Sequence, residues 1–580
     1  MISTPKSAGA VASSSVSASA PVKSAIGSSG FTINMTTEQL TAAVSVFWLI
    51  SANQLFFTTA LKGFLLAEPA TWGFAAALAM MVLALQFFLL TVVSHRLIIK
   101  PLLAVLLVTT ASAVYFMQAY GIYFDPSMVR NILRTDVAEA REIVSWHLVL
   151  HFTLYAGLPL ALLWRVRIIK RPWLRAAAHR LGWAALALVL AAGAVLAVFQ
   201  PFASLMRNHK EVRYLITPAN LAWSVGSVAA QSLGGAGKPR QQIGLDAKRT
   251  PPVPGAKPQL LVVVVGETAR AANWGLSGYA RQTTPQLAKL VPQGLINWAQ
   301  VTSCGTNTEV SVPCMFAPVG RRNYNEVDIR GSESLLHVLK RAGAAVQWRD
   351  NQSGCKGVCD GLPTETTADL KLPDLCADGR CLDAALLDGL AARLDAAKGT
   401  QVLVLHMLGN HGPSYFRRFP PGFARFAPYC QNDDLNRCSR EEIVNAYDNA
   451  LLYTDDVLAQ LISQLQSKAG SVDSSVIYVS DHGESLGEKG LFLHGMPYAI
   501  APSEQTRVPM VMWFSSGMQR ALNVNTACLS EQALQPAAHD HLFHTVLGLL
   551  NVTTALYEPK LDLLAGCRTA PLVAISASAP

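Results

Sequence analysis

Cysteine is absent before residue 304, and all ten cysteines of this 580-residue chain lie between Cys304 and Cys567. Charged residues are also scarce, at 15%, whereas hydrophobic residues make up 51% and the mean hydropathy is +0.29. A chain this long and apolar is expected to join a membrane part to a soluble part, because one core would not accommodate it. The net charge of +9 comes without a stripe of basic and aromatic residues, so nucleic acid is not expected as a partner.

Several motifs of known site types are also missing. The chain has no HExxH, which argues against a zincin protease, and no repeated CxxC spacing of the kind that binds structural zinc. Residues 1–37 are rich in Ser and Ala and lack the apolar stretch of a cleavable signal peptide. We expect this tail to be disordered and cytoplasmic.

The cysteines instead fall into short local pairs. These pairs are Cys304 with Cys314, Cys355 with Cys359, Cys376 with Cys381, and Cys430 with Cys438; Cys528 and Cys567 are left over and pair by elimination. An even number at close spacing favours disulfides over a zinc site. Disulfides indicate an oxidising compartment for this half of the chain.

Five long apolar segments precede the cysteines, at residues 43–66, 72–94, 98–124, 148–166 and 181–202. Each is near the roughly 20 residues that a membrane-spanning helix needs. Basic residues cluster in two of the loops, and these residues are Arg96, Lys100, Arg165, Arg167, Lys170, Arg171, Arg175 and Arg180. Those loops are expected to be cytoplasmic, which places the amino terminus inside and everything after about residue 202 outside.

The composition predicts a division of the chain into domains. A transmembrane domain is expected over 38–202, with a helix of the external loop near 125–146. An amphipathic helix and a Gly/Pro/Lys-rich linker follow over 203–258, and an α/β domain over 259–580. In that domain Ser439 and Glu442 form a capping box. The helix they begin has one apolar face, formed by Ile443, Tyr447, Ala450, Leu451, Thr454, Leu458 and Leu461.

Three apolar runs of the α/β domain end in residues that can bind a metal. The run from Leu260 leads into Glu267, the run from Gln401 leads towards His411, and the run from Ser475 leads into Asp481 and His482. Such runs predict buried parallel strands, and ligands bind at the carboxyl ends of parallel strands. Glu267, Asp481 and His482 offer oxygen and nitrogen ligands of the kind that zinc accepts.

The segment SCGTNTEVSVPC places Thr308 between two cysteines that can bridge. A disulfide would hold the hydroxyl in place, and a helix from about Val310 would favour anions at its amino end. Coordination to zinc would lower the pKa of this hydroxyl, which favours attack on phosphorus. The alternative is that Thr308 is only a loop hydroxyl or a helix cap. His411 and His494 lie in Gly- and Pro-containing loops, where they are either surface residues or assist at the same centre.

Six segments together resemble a known family: VVVGETAR, SCGTNTEVSVPCMF, GNHGPSYF, NAYDNALLYTDD, SDHGESLGE and LHGMP. They are similar to those of the phosphoethanolamine transferases that modify lipid A, including those associated with polymyxin resistance. The resemblance covers nearly the whole chain from about residue 40. It implies a monomeric protein of the bacterial inner membrane with five membrane helices and a periplasmic α/β domain of the alkaline phosphatase/sulfatase type. It also implies one tightly bound Zn²⁺, with a second as an open alternative.

The resemblance implies roles for particular residues. Thr308 matches the nucleophile; Glu267, Thr308, Asp481 and His482 match the zinc ligands; His411 and His494 match histidines that assist at the phosphate or hold a second zinc. Ser353, Lys356, Asn131, Thr135 and Glu139 match positions near the substrate head group. On spacing alone, Asn131, Thr135 and Glu139 lie on one helix face, which equally fits a solvated interfacial helix. The four local disulfides also match pairs of the family.

The implied reaction is ping-pong. Thr308 takes phosphoethanolamine from phosphatidylethanolamine and passes it to a phosphate of lipid A, which lowers negative surface charge. A core sugar of lipopolysaccharide or another glycan is an alternative acceptor. A phosphoglycerol transferase similar to the lipoteichoic acid synthases is the nearest rival, and the GETAR and SCGT motifs argue against it. The chain lacks the CxPSR or SxPSR motif of a sulfatase. A non-catalytic membrane sensor would be expected to have lost one of the site residues, and all of them are present.

Overall fold

The structure is a computed structural model that describes residues 32–65, 67–135, 137–235, 239–250, 254–377 and 379–568. Residues 1–31 of the tail that we expected to be disordered lie outside the described residues. For the rest of that tail the expected disorder is wrong, because Ile33–Met35 forms a strand that pairs in parallel with Val166–Ile168. Thr36 then caps the first helix in a capping box with Gln39. The ordered chain therefore begins before the first apolar segment.

A helical region comes first. It contains α1 (Thr37–Ser51), α2 (Gln54–Ala60), α3 (Pro69–Val93), α4 (Ile99–Tyr120), α5 (Pro126–Arg134), α6 (Val137–Glu142), α7 (Trp146–Phe152), α8 (Leu158–Arg165), α9 (Trp173–Ala197), α10 (Phe199–Asn208) and α11 (Ala219–Gly235). A π-helical turn, Thr153–Gly157, joins α7 and α8 into one long helix. Among the described residues, four helices are long and apolar enough to cross a membrane: α3, α4, α7–α8 and α9. The α1–α2 pair passes the same test only together, bent by 55°, so the pair counts as a fifth span if it crosses as one.

Asn53 produces the bend between α1 and α2. Its side-chain amide donates to the carbonyl oxygens of Trp48 (2.9 Å) and Thr217 (2.8 Å), and its Oδ1 accepts from the N–H of Thr217 (3.0 Å). These bonds interrupt the helical pattern, so the apolar segment expected over 43–66 contains two helices. The segment expected over 181–202 also ends early, at Ala197, because Pro201 has no N–H and its ring clashes with the carbonyl four residues before it.

An eight-stranded mixed sheet forms the centre of the α/β domain. Its strands are β1 (Gln259–Gly266), β2 (Ile296–Thr302), β3 (Ala345–Asp350), β4 (Thr364–Thr366), β5 (Thr400–His406), β6 (Asp473–Ser480), β7 (Arg507–Phe514) and β8 (Ala537–Ala538). Their order across the sheet is β8-β2-β7-β6-β1-β5-β3-β4. The three strands predicted from the sequence are adjacent and parallel, with Ser480 opposite Gly266 and His406 opposite Val265. Their carboxyl ends therefore meet at one edge.

Helices cover both faces of this sheet. They are α12 (Pro285–Leu290), α13 (Thr308–Met315), α14 (Glu326–Gly331), α15 (Leu335–Arg341), α16 (Leu390–Asp395), α17 (Arg440–Ser467), α18 (Ser503–Thr506), α19 (Ser516–Leu522), α20 (Thr526–Gln532) and α21 (Asp540–Leu549). The predicted α17 is confirmed: the hydroxyl of Ser439 accepts from the N–H of Glu442 (3.2 Å), whose carboxylate accepts from the N–H of Ser439 (2.7 Å). Its predicted apolar face is buried in the same cluster as Val262 and Val264, whereas Val263 and Val265 belong to the cluster on the opposite face.

Covalent and sheet contacts tie the rest of the α/β domain together. All ten cysteines form the five predicted disulfides. Within the helix and linker expected over 203–258, the helical part extends to Gly235, where α11 ends. Within that linker, Lys248–Arg249 pairs antiparallel with Val552–Thr553, so this part of the linker packs on the domain that it precedes.

Candidate active site

The carboxyl ends of β1 and β6 bring three of the predicted metal ligands together. Glu267 directly follows β1, and Asp481 and His482 directly follow β6. One donor atom from each lies within 4.8 Å of the others, and all three side chains are buried. Because the two strands are neighbours in register, residues from distant parts of the chain meet here.

Thr308 joins this group from a third element. It is the first residue of α13, and its hydroxyl lies 3.1 Å and 3.3 Å from the two carboxylate oxygens of Glu267. The same hydroxyl lies 3.4 Å from Nε2 of His482. Asn307 caps α13 by accepting from the N–H of Val310 (3.0 Å), and this cap sets where the helix begins. The structure thus brings all four predicted ligands to one place.

The donor set fits a divalent cation. Nδ1 of His482 donates to the carbonyl oxygen of Gly483 (2.9 Å), which leaves Nε2 to face Glu267 Oε1 at 3.5 Å and Asp481 Oδ2 at 3.4 Å. Asp481 Oδ2 is buried and accepts no hydrogen bond from any described residue. A buried carboxylate oxygen without a donor is costly, and a metal ion would relieve that cost. Two carboxylates, an imidazole and a hydroxyl are ligands that Zn²⁺ accepts.

The electrostatics of the group agree with this fit. Burial raises the pKa of Asp481, and the charge of Glu267 contributes, so that it reaches about 7. Burial lowers the pKa of His482, but Asp481 and Glu267 raise it more, to about 9. Burial would also raise the pKa of Glu267, but the hydrogen bond and charge of His482 hold it below its ordinary value. The two acids therefore require a positive charge beside them, which either a proton on His482 or a bound cation supplies.

His494 lies beside this group. Its ring centroid is 4.4 Å from that of His482 and 5.7 Å from that of His411. Its Nδ1 is 3.2 Å from the carboxylate of Glu484, a buried residue that the sequence did not single out. His494 lies on the long loop between β6 and β7, whose Leu491 packs on the core of the helical region. The side chain of His494 is 10% exposed, so the surface-loop alternative for this residue is wrong.

His411 approaches from the end of β5. The carboxylate of Asp383 accepts from the N–H groups of Leu408 and Gly409, both at 2.8 Å, and so shapes the turn that follows the strand. The carbonyl oxygen of His411 accepts from Nε of Arg418 (2.7 Å). His411 is buried, so the surface-loop alternative is also wrong for this residue.

Ser353 and Lys356 reach the group through Gln352, which the sequence analysis missed. Lys356 Nζ donates to Ser353 Oγ (2.6 Å), Ser353 Oγ donates to Gln352 Oε1 (2.6 Å), and Gln352 Nε2 donates to Glu267 Oε2 (3.2 Å). A cavity of about 50 Å³ opens beside Gln352, Ser353 and His411. One signal was available for Gln352, because it follows β3 at the same edge of the sheet as the other site residues.

The structure places Asn131 in α5 and Glu139 in α6, with Thr135 between the two helices. α5 ends at Arg134, and Thr135 has extended backbone angles, with its hydroxyl donating to the carbonyl oxygen of Asn131 (3.0 Å). Glu139 lies in α6, and its side chain is outside the described residues. The prediction that these residues share one helix face is therefore wrong. The hydroxyl of Thr135 bonds to the backbone at the point where α5 ends, as such side chains often do at helix ends.

Comparisons with known proteins match this geometry. A family model described as sulfatase matches residues 259–552, and one described as phosphoethanolamine transferase EptA/EptB matches residues 82–233. The chain is 39% identical over 485 residues to phosphoethanolamine transferase EptA of Salmonella typhimurium, an alignment that covers 83% of this chain and 87% of the relative. The chain belongs to the phosphoethanolamine transferase family.

Two further relatives extend the match within the phosphoethanolamine transferase family. Phosphatidylethanolamine transferase Mcr-1 of Escherichia coli is 38% identical over 524 residues, covering 89% of this chain and 95% of the relative. The structure of the integral membrane protein lipooligosaccharide phosphoethanolamine transferase A (EptA) from Neisseria meningitidis superposes with a TM-score of 0.87 at 36% identity, covering 92% of this chain and 99% of that one. The expected fold is confirmed: an α/β domain of the alkaline phosphatase/sulfatase type follows apolar helices of a membrane protein.

Proposed function

We propose that this protein transfers phosphoethanolamine from phosphatidylethanolamine to a phosphate of lipid A, through a covalent intermediate on Thr308. One observation carries the proposal. The buried hydroxyl of Thr308 lies at the amino end of α13, within 3.4 Å of both Glu267 and His482. The amino end of a helix favours anions, so a substrate phosphate can bind there, within reach of the attacking hydroxyl. The relatives, which are named as transferases of this same group, support the choice of donor chemistry.

We propose that Glu267, Thr308, Asp481 and His482 hold one tightly bound Zn²⁺. When bound, this ion supplies positive charge that favours loss of the Thr308 proton and offsets charge on the phosphoryl oxygens. His411 and His494 line the same space, 5.7 Å apart between ring centroids, and contact the phosphoryl group or the departing oxygen. A second Zn²⁺ at these histidines is the alternative role for them.

The reaction consists of two displacements at phosphorus. In the first, the bond from Thr308 Oγ to phosphorus forms while the bond from phosphorus to the diacylglycerol oxygen breaks, and the hydroxyl proton ends on diacylglycerol. In the second, an oxygen of the lipid A phosphate bonds to phosphorus while the bond from phosphorus to Thr308 Oγ breaks, and Thr308 Oγ takes up a proton from the acceptor phosphate or from solvent. Both displacements require in-line approach, so the chain's main contribution is to place Thr308 and the phosphate.

Donor recognition is proposed for Ser353, Lys356, Asn131, Thr135 and Glu139. The support comes from the hydrogen-bonded path Lys356–Ser353–Gln352, which ends on Glu267. A buried ammonium and a hydroxyl so close to the phosphoryl position suit a phosphate ester. Asn131 and Thr135 belong to the segment between α4 and α7, which lies on the same side of the α/β domain as α13.

We propose that the protein is a monomer in the bacterial inner membrane, with its amino terminus in the cytoplasm and its α/β domain in the periplasm. The basic loops that carry Arg96 and Arg171 support this orientation, and so do the five disulfides of the α/β domain. Donor and acceptor are both confined to the bilayer. A tethered enzyme therefore meets both at high effective concentration.

The test is mass spectrometry of lipid A from cells that express the wild type, Thr308→Ala or Ser311→Ala. Ser311 is the matched control, because it is a buried hydroxyl of the same helix that makes no hydrogen bond to described residues. We expect added phosphoethanolamine with the wild type and Ser311→Ala, and none with Thr308→Ala. Unmodified lipid A with the wild type would reject lipid A as the acceptor. Feeding labelled phosphatidylethanolamine and phosphatidylglycerol to purified protein separates this function from phosphoglycerol transfer.

A further inference from the structure

The segment of residues 121–145, here called the α4–α7 connection, contacts the α/β domain beside the site at two places. It leaves the end of α4, carries α5 and α6, and returns to α7. At each place a buried charge of one partner meets an opposite charge of the other. Neither contact belongs to the metal group, and the sequence analysis assigned no role to Arg134, Glu142, Glu309 or Arg418.

The first contact holds the residue that follows the nucleophile. Glu309, next to Thr308 in α13, has a fully buried side chain. Arg134 of α5 donates from Nη1 to both of its carboxylate oxygens, at 2.8 Å and 3.1 Å. Arg330 of α14 also reaches Glu309, with 2.8 Å to the carboxylate and 2.6 Å to its carbonyl oxygen. The first turn of α13 is thus held from two sides.

A second pair makes this contact rigid. Arg130, one turn before Arg134 on α5, pairs with Glu326 of α14, and Glu326 lies 3.0 Å from Arg330. Three guanidinium groups and two carboxylates therefore form one network across α5, α13 and α14. A network of this kind resists displacement more than a single exposed pair does, because Glu309, Glu326 and Arg330 each have two charged partners.

The second contact holds His411. Arg418, whose side chain is 1% exposed, donates from Nε to the carbonyl oxygen of His411 (2.7 Å) and from Nη2 to the carboxylate of Glu142 (2.6 Å). Glu142 is the last residue of α6, and it is also buried. One guanidinium therefore joins the α4–α7 connection to the main chain of a histidine that lines the site.

We infer that Arg134 and Glu142 are positioning residues, through which the α4–α7 connection sets the placement of Thr308 and His411. This inference rests on the proposed function, since it concerns the same reacting atoms. In-line transfer depends steeply on the distance and angle of the attacking oxygen, and a misplacement of about 1 Å costs up to a hundredfold in rate. Loss of Arg134 releases one side of α13, and loss of Glu142 releases Arg418.

The experiment follows the donor half-reaction in the full chain. Protein in mixed micelles with phosphatidylethanolamine and without acceptor is quenched at intervals, and mass spectrometry reports the fraction of Thr308 that carries phosphoethanolamine. The variants are Arg134→Ala, Arg134→Lys and Glu142→Gln. The control is Arg322→Ala, which breaks the exposed ion pair of Arg322 with Glu558. Zinc content and melting temperature are measured on every sample.

We expect Arg134→Ala to lower the rate constant by about tenfold to a hundredfold, with the final amplitude and zinc content near those of the wild type. Arg134→Lys recovers part of that loss, since it keeps the charge but replaces the planar guanidinium by an ammonium group. Glu142→Gln gives a smaller decrease, because its amide oxygen still accepts from Arg418. Arg322→Ala reacts as the wild type does.

Two results would overturn the inference. The first is an unchanged rate constant in Arg134→Ala. The second is a loss of amplitude alone, which indicates fewer folded molecules rather than a misplaced nucleophile. A wild-type protein that forms no adduct would instead reject the proposed function, so the two failures are distinguishable.

Discussion

Two regions hold the site in different ways. At the sheet edge, the register of two strands fixes the positions of Glu267, Asp481 and His482. At the α4–α7 connection, the contacts depend on side chains such as Arg134 and Glu142. A strand register cannot change by one residue without turning every side chain to the opposite face. An ion pair between two domains can separate and form again. Changes at the sheet edge should therefore abolish the reaction, and changes at the connection should slow it.

The largest effect is expected from Thr308. Thr308→Ala removes the attacking oxygen, so no phosphoethanolamine should appear on the protein or on the acceptor. Thr308→Ser keeps the hydroxyl and should retain a rate within about tenfold, since only a methyl contact is lost. Mass spectrometry of the quenched protein measures both. An adduct elsewhere in Thr308→Ala would show that a different residue is the nucleophile.

The next effect is expected from Asp481. Asp481→Asn removes a proposed metal ligand, and it should lower zinc content and reduce activity by about a hundredfold or more, because loss of even an outer partner of a metal site costs up to about that much. Elemental analysis and the transfer assay measure the two quantities. Asp473→Asn is the matched control, because Asp473 begins the strand that Asp481 follows. EDTA should inactivate the wild type and Zn²⁺ should restore it; full activity in metal-free protein contradicts the metal site.

A smaller effect is expected at the connection. Thr135→Ala should raise KM for the donor about fivefold and leave kcat nearly unchanged, since one hydrogen bond to the head group contributes about 1 kcal/mol. Initial rates at varied phosphatidylethanolamine measure both parameters. Leu133→Ala provides the comparison, because Leu133 lies in the last turn of α5, two residues before Thr135, with its side chain exposed. A drop in kcat alone would move Thr135 from donor binding to positioning.

The smallest effect on activity is expected far from the site. Replacing Cys528 and Cys567 by Ala opens a loop of 39 residues and should destabilise the α/β domain by about 4 kcal/mol, while transfer at 25 °C stays unchanged. Replacing Cys304 and Cys314 opens a loop of 10 residues, worth about 3 kcal/mol, and should also slow transfer because that loop leads into Thr308. Thermal melting and the transfer assay separate the two outcomes. Equal activity loss in both variants would contradict the comparison.

The strands and their terminal residues were predictable because burial on both faces leaves a continuous apolar run, as from Leu260 to Val265. Four of the disulfides were predictable because their cysteines lie close in sequence, and the pair Cys528–Cys567 followed by elimination. The bend at Asn53 was not, since its partner Thr217 lies 164 residues away. The end of α9 had a readable signal in Pro201, which the apolar pattern concealed.

The contacts that surround the site left no pattern in the sequence. Arg418 is a single polar residue in a loop, and nothing in its neighbours distinguishes it from a solvated one, whereas Gln352 and Glu484 had only their places after β3 and β6 as a signal. Arg134 and Glu309 likewise resemble an ordinary helix surface charge and a charge in the first turn of a helix. Their contact forms only when two segments that are distant in sequence come together in the folded chain.

By itself, the sequence determined where apolar runs form membrane-length helices and strands, which cysteines pair, and which side chains stand at the strand ends. Most of those features depend on neighbours within a few residues, because the spacing of apolar residues and the chemistry of each side chain decide the local structure over that range. Only the tertiary structure decided that Thr308 reaches Glu267 and His482, and that Arg134 and Glu142 hold the surroundings of the site. A contact across hundreds of residues depends on how whole elements pack, and packing is a property of the folded chain rather than of any segment.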